Sequence, residues 1–551
     1  RLQRLPLPDN GIKQGERGYF PPVLNIGGNN MKNSPYEIFD EYREAADFKS
    51  SLGKRGIYEQ NRINERFYIG DQWYGAKCGN ERPLVRHNII KRIGDFKMSQ
   101  ILSEPLSVTF SAEGVPVSRK VKGETAEVNA VMAALSDYYN ITAERVGLNS
   151  LHEKALRNAY VTGTGIIYTY WNPSVKTGLY ADAEKKVPVK GDIACEVLDI
   201  ENVFFADPYI SDVQSQPYII ISSRRETAEV MREAKRFGAS DLTLSSISDD
   251  AEDGKVTVLT KLYKVYNSDG EYIIKSVKVT EHAVVRDEFE TGLRLYPIAV
   301  FNWEKRSGII YGESEITYLI PNQIAINRMI TASVWSAMTT GMPMMVINGD
   351  TVPESITNEP GQIIKVYGSN EDVNGAVKYV APPDFSKNFE SGVQSLIDNT
   401  LTQSGANEVA LGDSRADNAT ALITMRNAAV MPLQILKNRF YAFAEELSRI
   451  WADFWITCYG KREIKLHDGD GTRYMPFDGE KYKSFIINSR VDVGTGTVYS
   501  DRDCVNTLLS LYEKGIINRI QFLERMPDGI VRDVDGLVAA AREEEDEIEG
   551  K

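Results

Sequence analysis

Between Glu315 and Asp350 the chain carries a single charge, Arg328. In a sequence where 26% of residues are charged, such a stretch is not a solvated face and has to be covered by protein or by lipid. Lipid fits poorly. Pro321, Asn322, Gln323, Asn327 and Arg328 interrupt the apolar run well short of the ~20 residues that a bilayer-spanning helix needs. The stretch therefore opens a protein-packed succession of helix, β-insert, helix, polar loop and long helix, ending near Cys458.

With 551 residues the chain exceeds the usual single-core size, so more than one structural region is expected. A formal charge of −13 and a pI near 5.2 argue against an electrostatic grip on nucleic acid, which depends on cations that displace counterions. Letting DNA slide past is compatible with that charge. Cys78, Cys195, Cys458 and Cys504 form no CxxC pair, so neither a disulfide framework nor a zinc knuckle is readable, and four buried thiols are expected. Residues 1–35 mix Pro, Gly and charges without periodicity. They are read as an extended arm whose Tyr19, Phe20 and Leu24 could dock on a neighbouring subunit, with a plain disordered tail as the alternative.

Helical spacing is expected over residues 36–52, 58–69 and 89–102, the last behind the N-cap Asn88, with Gly70 ending the second. A strand over 106–111 precedes helices over 124–139 and 143–161. Gly163-Thr164-Gly165 then releases the chain into the β-branched and aromatic run 166–171. Strands follow around 194–198 and 218–222, and a short helix at 227–237. The polar run 239–254 reads as a loop, and 255–266 with 271–279 as a hairpin across Asp269-Gly270. Downstream, Leu422, Met425, Ala429, Leu433, Leu436, Phe440, Phe443, Leu447, Ile450 and Phe454 recur at steps of three and four, which predicts one long helix from Asn418. Pro432 would lie inside it and kink it near 428–432. Strands at 463–466 and 484–493 and helices at 502–513, from Asn518 and at 534–544 complete the chain, with an acidic tail over 543–549.

The signatures of catalysis are missing. His152-Glu153-Lys154-Ala155-Leu156 has Leu156 where a zincin needs its second histidine, so no metal site is expected. His87, His282 and His467 stand alone. Gly494-Thr495-Gly496-Thr497 lacks the lysine of a phosphate loop and reads as a turn. Asp413 and Asp417 are solvated loop acids, and Glu445 and Glu446 point to different sides of a helix. No catalytic residue and no cofactor are expected.

Phe67-Tyr68-Ile69-Gly70-Asp71-Gln72-Trp73 with Arg82-Pro83-Leu84-Val85 and Asn88 resembles the N-terminal signature of the portal proteins of tailed bacteriophages. So do Val161 to Gly165 ahead of an aromatic strand, Val203 to Pro208, Tyr311-Gly312 with Gln323 and Asn327, Ser404-Gly405 before Glu408 and Leu411-Gly412, and residues 508–515. The likeness covers roughly residues 55–540 in order. Single motifs are weak and the ordered set is fairly specific.

The resemblance implies an α+β portal-like fold assembling as a ring, usually of twelve subunits, at one capsid vertex of the virion. Residues 36–314 would form the wing, 315–340 and 385–404 the two stem helices, and 341–384 the clip, with strands near 344–347, 362–366 and 376–380. A tunnel loop would span 405–417, a long kinked helix and the return to the wing 418–500, and a short helical crown with the acidic tail 501–551. Asn407, Glu408, Asp413, Ser414, Arg415, Asp417 and Asn418 would face double-stranded DNA in the channel. Asp350, Glu354, Lys365, Glu371 and Lys378 on the clip would meet partners. Implied partners are terminase, capsid and scaffolding proteins and head-completion or tail adaptors, with no membrane. Two other readings stay open: a nucleotide-dependent nucleic-acid hydrolase using residues 494–497, and a ring scaffold that never meets DNA.

Overall fold

In a computed structural model of the chain, the described residues are 33–74, 84–103, 106–113, 122–180, 188–266, 272–340, 344–347, 377–380, 387–406, 431–468, 471–483, 486–493, 501–526 and 536–538. Every strand pairing among them is antiparallel, and helices sit beside the sheets rather than crossing between parallel strands. That makes the chain α+β.

The first three helices are set by their ends. α1 (Pro35–Ser51) starts on a capping box between Ser34 and Glu37, and α2 (Gly56–Ile69) stops where Gly70 turns left-handed at φ 92. α3 (Ile89–Ile101) starts on Asn88, whose side chain accepts from the Lys91 N–H. Strand β1 (Leu106–Glu113) leads to α4 (Lys122–Val146) and α5 (Leu148–Thr162). The break between those two helices falls at Gly147, φ 67, rather than at the expected 140–142. Glycine alone takes that backbone without strain, whereas Asn140-Ile141-Thr142 continues the helix, with Thr142 fully buried.

A three-stranded sheet of β2 (Thr164–Tyr180), β3 (Pro188–Leu198) and β9 (Ile298–Asn302) adjoins a five-stranded meander. The meander runs β4 (Val203–Phe205), β5 (Tyr218–Glu226), β6 (Lys255–Tyr266), β7 (Tyr272–Val279) and β8 (Val284–Glu290). β6 and β7 form the expected hairpin, while its Asp269-Gly270 turn lies outside the described residues. The polar run 239–254 is no simple loop. After α6 (Thr227–Arg236) it holds α7 (Asp241–Asp249), capped by Ser240, with Ile247 fully buried against the cluster that contains Val230 and Ala234. One apolar anchor and one cap suffice where composition alone reads as coil.

α1 lies against the meander through Ile38 and Phe39. Lys49 pins its end: the fully buried ammonium donates to the Ile200 carbonyl at 2.5 Å and sits 3.7 Å from the Phe204 ring centre. Burial pulls its pKa well below that of an ordinary lysine, against the pull of Glu201.

From the body, α8 (Glu315–Thr340) runs out, with Pro321 inside it, and leads to β10 (Met344–Ile347). β11 (Val377–Val380) pairs antiparallel with β10 and precedes α9 (Lys387–Gln403), which returns. α10 (Gln434–Cys458) is the axis of the core. Leu436, Phe440, Phe443, Leu447, Ile450 and Phe454 are buried as their spacing predicts, joined by Trp451 and Trp455. Phe110 and Tyr138 pack edge-on against Trp455. Pro432 does not lie inside this helix. It occupies a 3-10 turn, Met431–Leu433, that leads into it, where a missing N–H costs little. The upstream part of the expected long helix lies outside the described residues.

A hairpin of β12 (Lys461–Asp468) and β13 (Gly471–Asp478) follows, whose second strand the sequence did not announce. A short helix α11 (Gly479–Tyr482) leads to β14 (Ile486–Val493), which pairs back with β1. α12 (Asp501–Glu513) and α13 (Arg519–Glu524) follow, the latter on the expected Asn518 and Gln521 capping box, and residues 536–538 are helical as expected within 534–544. Cys195 and Cys458 are free and only partly buried, a correction to the buried-thiol expectation. Among the described residues, no helix is long and apolar enough to cross a membrane.

Candidate functional site

The feature that stands apart from the body is the α8/α9 pair with the β10–β11 hairpin beyond it. At ~1.5 Å per residue, the 26 residues of α8 reach ~39 Å. The pair is antiparallel by construction, because the hairpin joins the end of one helix to the start of the other. Asn322 Nδ2 donates to Thr400 Oγ1 at 3.2 Å, and a Cβ on Gly392 would stand 3.9 Å from the Met329 methyl.

Its mount on the body is polar and buried. Asn327 and Gln323, one helical turn apart on α8, meet Gln72, all three nearly excluded from solvent. Asn327 Nδ2 donates to Gln72 Oε1 at 2.6 Å, and Asn327 Oδ1 accepts from the His87 N–H at 3.1 Å and from Gln323 Nε2 at 2.9 Å. Gln323 Nε2 also donates to the His87 carbonyl at 2.6 Å, while its Oε1 accepts from the Ile89 N–H at 3.0 Å. The free N–H groups at the start of α3 are thus satisfied from a helix more than 230 residues away. Gln72 Nε2 is held by the Phe67 carbonyl at 3.0 Å, and Trp73 Nε1 by the Val85 carbonyl at 3.0 Å.

A second tie lies at the root of α8. Gly163 and Gly312 approach so closely that a Cβ on Gly163 would come 2.7 Å from the Gly312 carbonyl oxygen, and one on Gly312 would come 2.3 Å from that of Gly163. The Gly312 N–H donates to Thr164 Oγ1 at 2.9 Å, which donates to Asn302 Oδ1 at 2.9 Å. Ser314 Oγ donates to the Tyr160 carbonyl at 2.6 Å and accepts from the Ile316 N–H at 3.1 Å. Glu315, in the first turn, takes Lys97 Nζ at 2.7 Å and Trp303 Nε1 at 3.0 Å. A carboxylate there also complements the helix dipole. At the return end, Gly405, φ 76, closes α9 and the Ala406 N–H donates to the Leu401 carbonyl at 3.0 Å.

The sequence motifs at 67–73, 161–165 and 311–312 and the pair Gln323 and Asn327 thus fix α8 to the body, while Ser404-Gly405 closes the end of α9. The geometry changes along α8. Ile316, Leu319, Gln323, Ile326 and Asn327 are buried, but no described side chain beyond Asn327 is, although Ile330, Val334, Trp335 and Met338 lie there and Met338 is 49% exposed. Lys378 lies on β11 opposite Val346. Asp350, Glu354, Lys365 and Glu371 lie outside the described residues, as do Asn407, Glu408, Asp413, Ser414, Arg415, Asp417, Asn418 and residues 494–497.

Titratable groups in the body do structural work. His152 is buried edge-on to Phe440, 5.0 Å between ring centres, and desolvation pulls its pKa down to about 4, so it is a neutral core residue. His282 bonds Asp250 at 2.5 Å at the surface, which raises its pKa. Burial pushes the Cys195 and Cys458 thiols up to about 11, away from nucleophilic use. Glu445 and Glu446 do diverge: Glu445 Oε1 accepts from the Val491 N–H at 3.1 Å, and Glu446 Oε1 from Gln214 Nε2 at 3.4 Å. Desolvation raises Glu446 to about 7. Among the described residues, no group of three His, Cys, Asp or Glu could hold a metal ion.

No protein-family model matches the chain, and no curated protein matches it significantly.

Proposed function

We propose that the chain is a portal-type subunit: a non-enzymatic piece of a ring, of twelve copies in the usual portal, through which double-stranded DNA enters and leaves a capsid. In this reading α8 and α9 are the stem, the β10–β11 hairpin belongs to the clip, the α+β body is the wing and α12 with α13 the crown. The observation that carries it is the distal part of α8 beyond Arg328, which has no charge and in which no described side chain is buried. Its apolar side chains are at most half-buried, and Met338 is exposed; incompletely covered apolar surface is what a subunit interface covers. Copies placed side by side in a head-to-tail arrangement cover one another's flanks and close into a ring. The rigid mount at Gln72, Gln323 and Asn327 supports the reading further, because a stalk that bears load needs a fixed base.

A charge of −13 per copy favours sliding over adhesion, since phosphate is repelled by most of the surface. The packaging motor is then a separate terminase, and the clip is where terminase and later the head-completion or tail adaptors dock. Imaging the purified chain down its symmetry axis tests the ring; a compact monomer at all concentrations would falsify it. Shortening residues 405–417 tests the channel role. DNA retention in filled particles drops if that segment faces the DNA, and unchanged retention removes DNA contact from the proposal.

A further inference from the structure

Arg328, the one charge in its stretch, opens onto a cavity of ≈ 370 Å³. Two more arginines line it, Arg55 and Arg66, together with Trp73 and Tyr74 and, among the described residues, one carboxylate, Asp71. Arg66 is already placed: its guanidinium lies 3.3 Å from the Tyr74 ring centre, and its Nε is 4.0 Å from Asp71. The side chains of Arg55 and Arg328 have no hydrogen bond or ion pair among the described residues. Among the described residues, three guanidiniums against one carboxylate, in a chain of net charge −13, make a local positive site. Arginine's planar fork suits a planar anion held through two parallel hydrogen bonds.

Position narrows the identity of that anion. Ile326 and Asn327 are the last buried residues of α8, and Arg328 is the first exposed one after them. The cavity therefore lies where the self-covered part of the helix gives way to the part that the proposed ring interface covers. Exposed apolar side chains flank it in sequence: Ile69 and Tyr74 are 62% and 67% exposed, and Leu84 is 40% exposed. Acidic residues outnumber basic ones 77 to 64, so a second copy offers carboxylates in excess. A duplex is a poor occupant, because the cavity is side-chain sized and the charge of the whole chain repels phosphate.

We propose that this arginine-lined cavity is a socket for carboxylate side chains of a second copy of the chain. The inference rests on the ring reading and sharpens it by naming a polar anchor beside the apolar strip. The test compares the full chain with Arg55→Glu/Arg328→Glu and with the milder Arg55→Gln/Arg328→Gln, by native mass spectrometry and sedimentation at low and high salt. Thermal melts of the unassembled chains check the fold. Charge reversal is expected to raise the concentration for half-assembly by tenfold or more, roughly the scale of one lost charge-assisted contact. The Gln pair shifts it less and loses much of the wild-type salt dependence.

Variants that assemble like the wild type at both salts overturn the socket and leave the ring standing. A wild-type chain that stays monomeric overturns both. If a short single-stranded oligonucleotide binds the wild type but not the Glu pair, with assembly unchanged, the cavity belongs to phosphate and the proposal fails.

Discussion

Two helices of nearly equal length treat apolar sequence in opposite ways. In α10, 13 of 25 residues are buried; in α8, 26 residues long, five of the described residues are, all in its first half. α10 has sheets and helices on several sides and fills its surroundings with Phe, Trp and Leu. α8 is covered by the body at its root and by α9 on one flank, and its far half has no buried side chain among the described residues. The lesson is that hydrophobic periodicity reports how much a helix must be covered, not who covers it.

The largest effect is expected in the body. Phe440→Ala deletes a buried ring that packs with His152, Phe301 and Phe443, and should cost about 3–5 kcal/mol in chemical denaturation. A loss under ~1 kcal/mol would mean that the core around α10 is not the stable half of the comparison. Asn327→Leu comes next. It strips partners from Gln72 Oε1 and the His87 N–H, each unsatisfied group costing about 1–3 kcal/mol. Hydrogen exchange should speed up in the first turns of α8 while α10 stays protected. Equal exchange in both helices would break the idea of a dedicated mount.

A pH dependence sharpens the comparison from the side of α10. Burial raises Glu446 to about 7 from an ordinary 4.5, so the folded chain holds a proton that the unfolded chain has released. Stability then falls as pH rises from about 4.5 to about 7. Glu446→Gln, permanently neutral, should flatten that slope and raise the melting temperature at pH 8 relative to the wild type. Asp453, also raised by burial but held by the Arg294 and Leu295 N–H groups, keeps part of the slope in the variant. An identical pH profile for the two chains would show that Glu446 is solvated.

The smallest effect on the isolated chain is expected at the far half of α8. Met338→Ser should change stability by no more than about 0.5 kcal/mol, the usual range for an exposed position, yet weaken assembly measurably in sedimentation. A stability loss as large as that of Phe440→Ala would mean that the chain's own fold covers Met338.

Local chemistry was legible where it is self-contained. Asn88 as a cap, Gly70 and Gly163 as stops, the Asn518 box and the buried face of α10 all follow from spacing within a few residues, whereas the bounds of α8 are those that the resemblance implied. The misreadings arose where one distant contact outvoted local composition. Ile247 turns a polar run into α7. Gly147 rather than Asn140-Ile141-Thr142 breaks the α4/α5 pair, because the latter run is held in the helix by buried Thr142. β13 is defined by its partner β12 rather than by its own alternation.

The candidate site divides along the same line. Gln323 and Asn327 one turn apart, and Arg328 as the sole charge of its stretch, are properties of the sequence. Only the tertiary structure could decide that those amides meet Gln72, 255 residues from Asn327, and that Arg328 shares a cavity with Arg55 and Arg66. Periodicity and capping are set by neighbours along the chain, whereas the partner of a buried amide or an open guanidinium is chosen by packing across it.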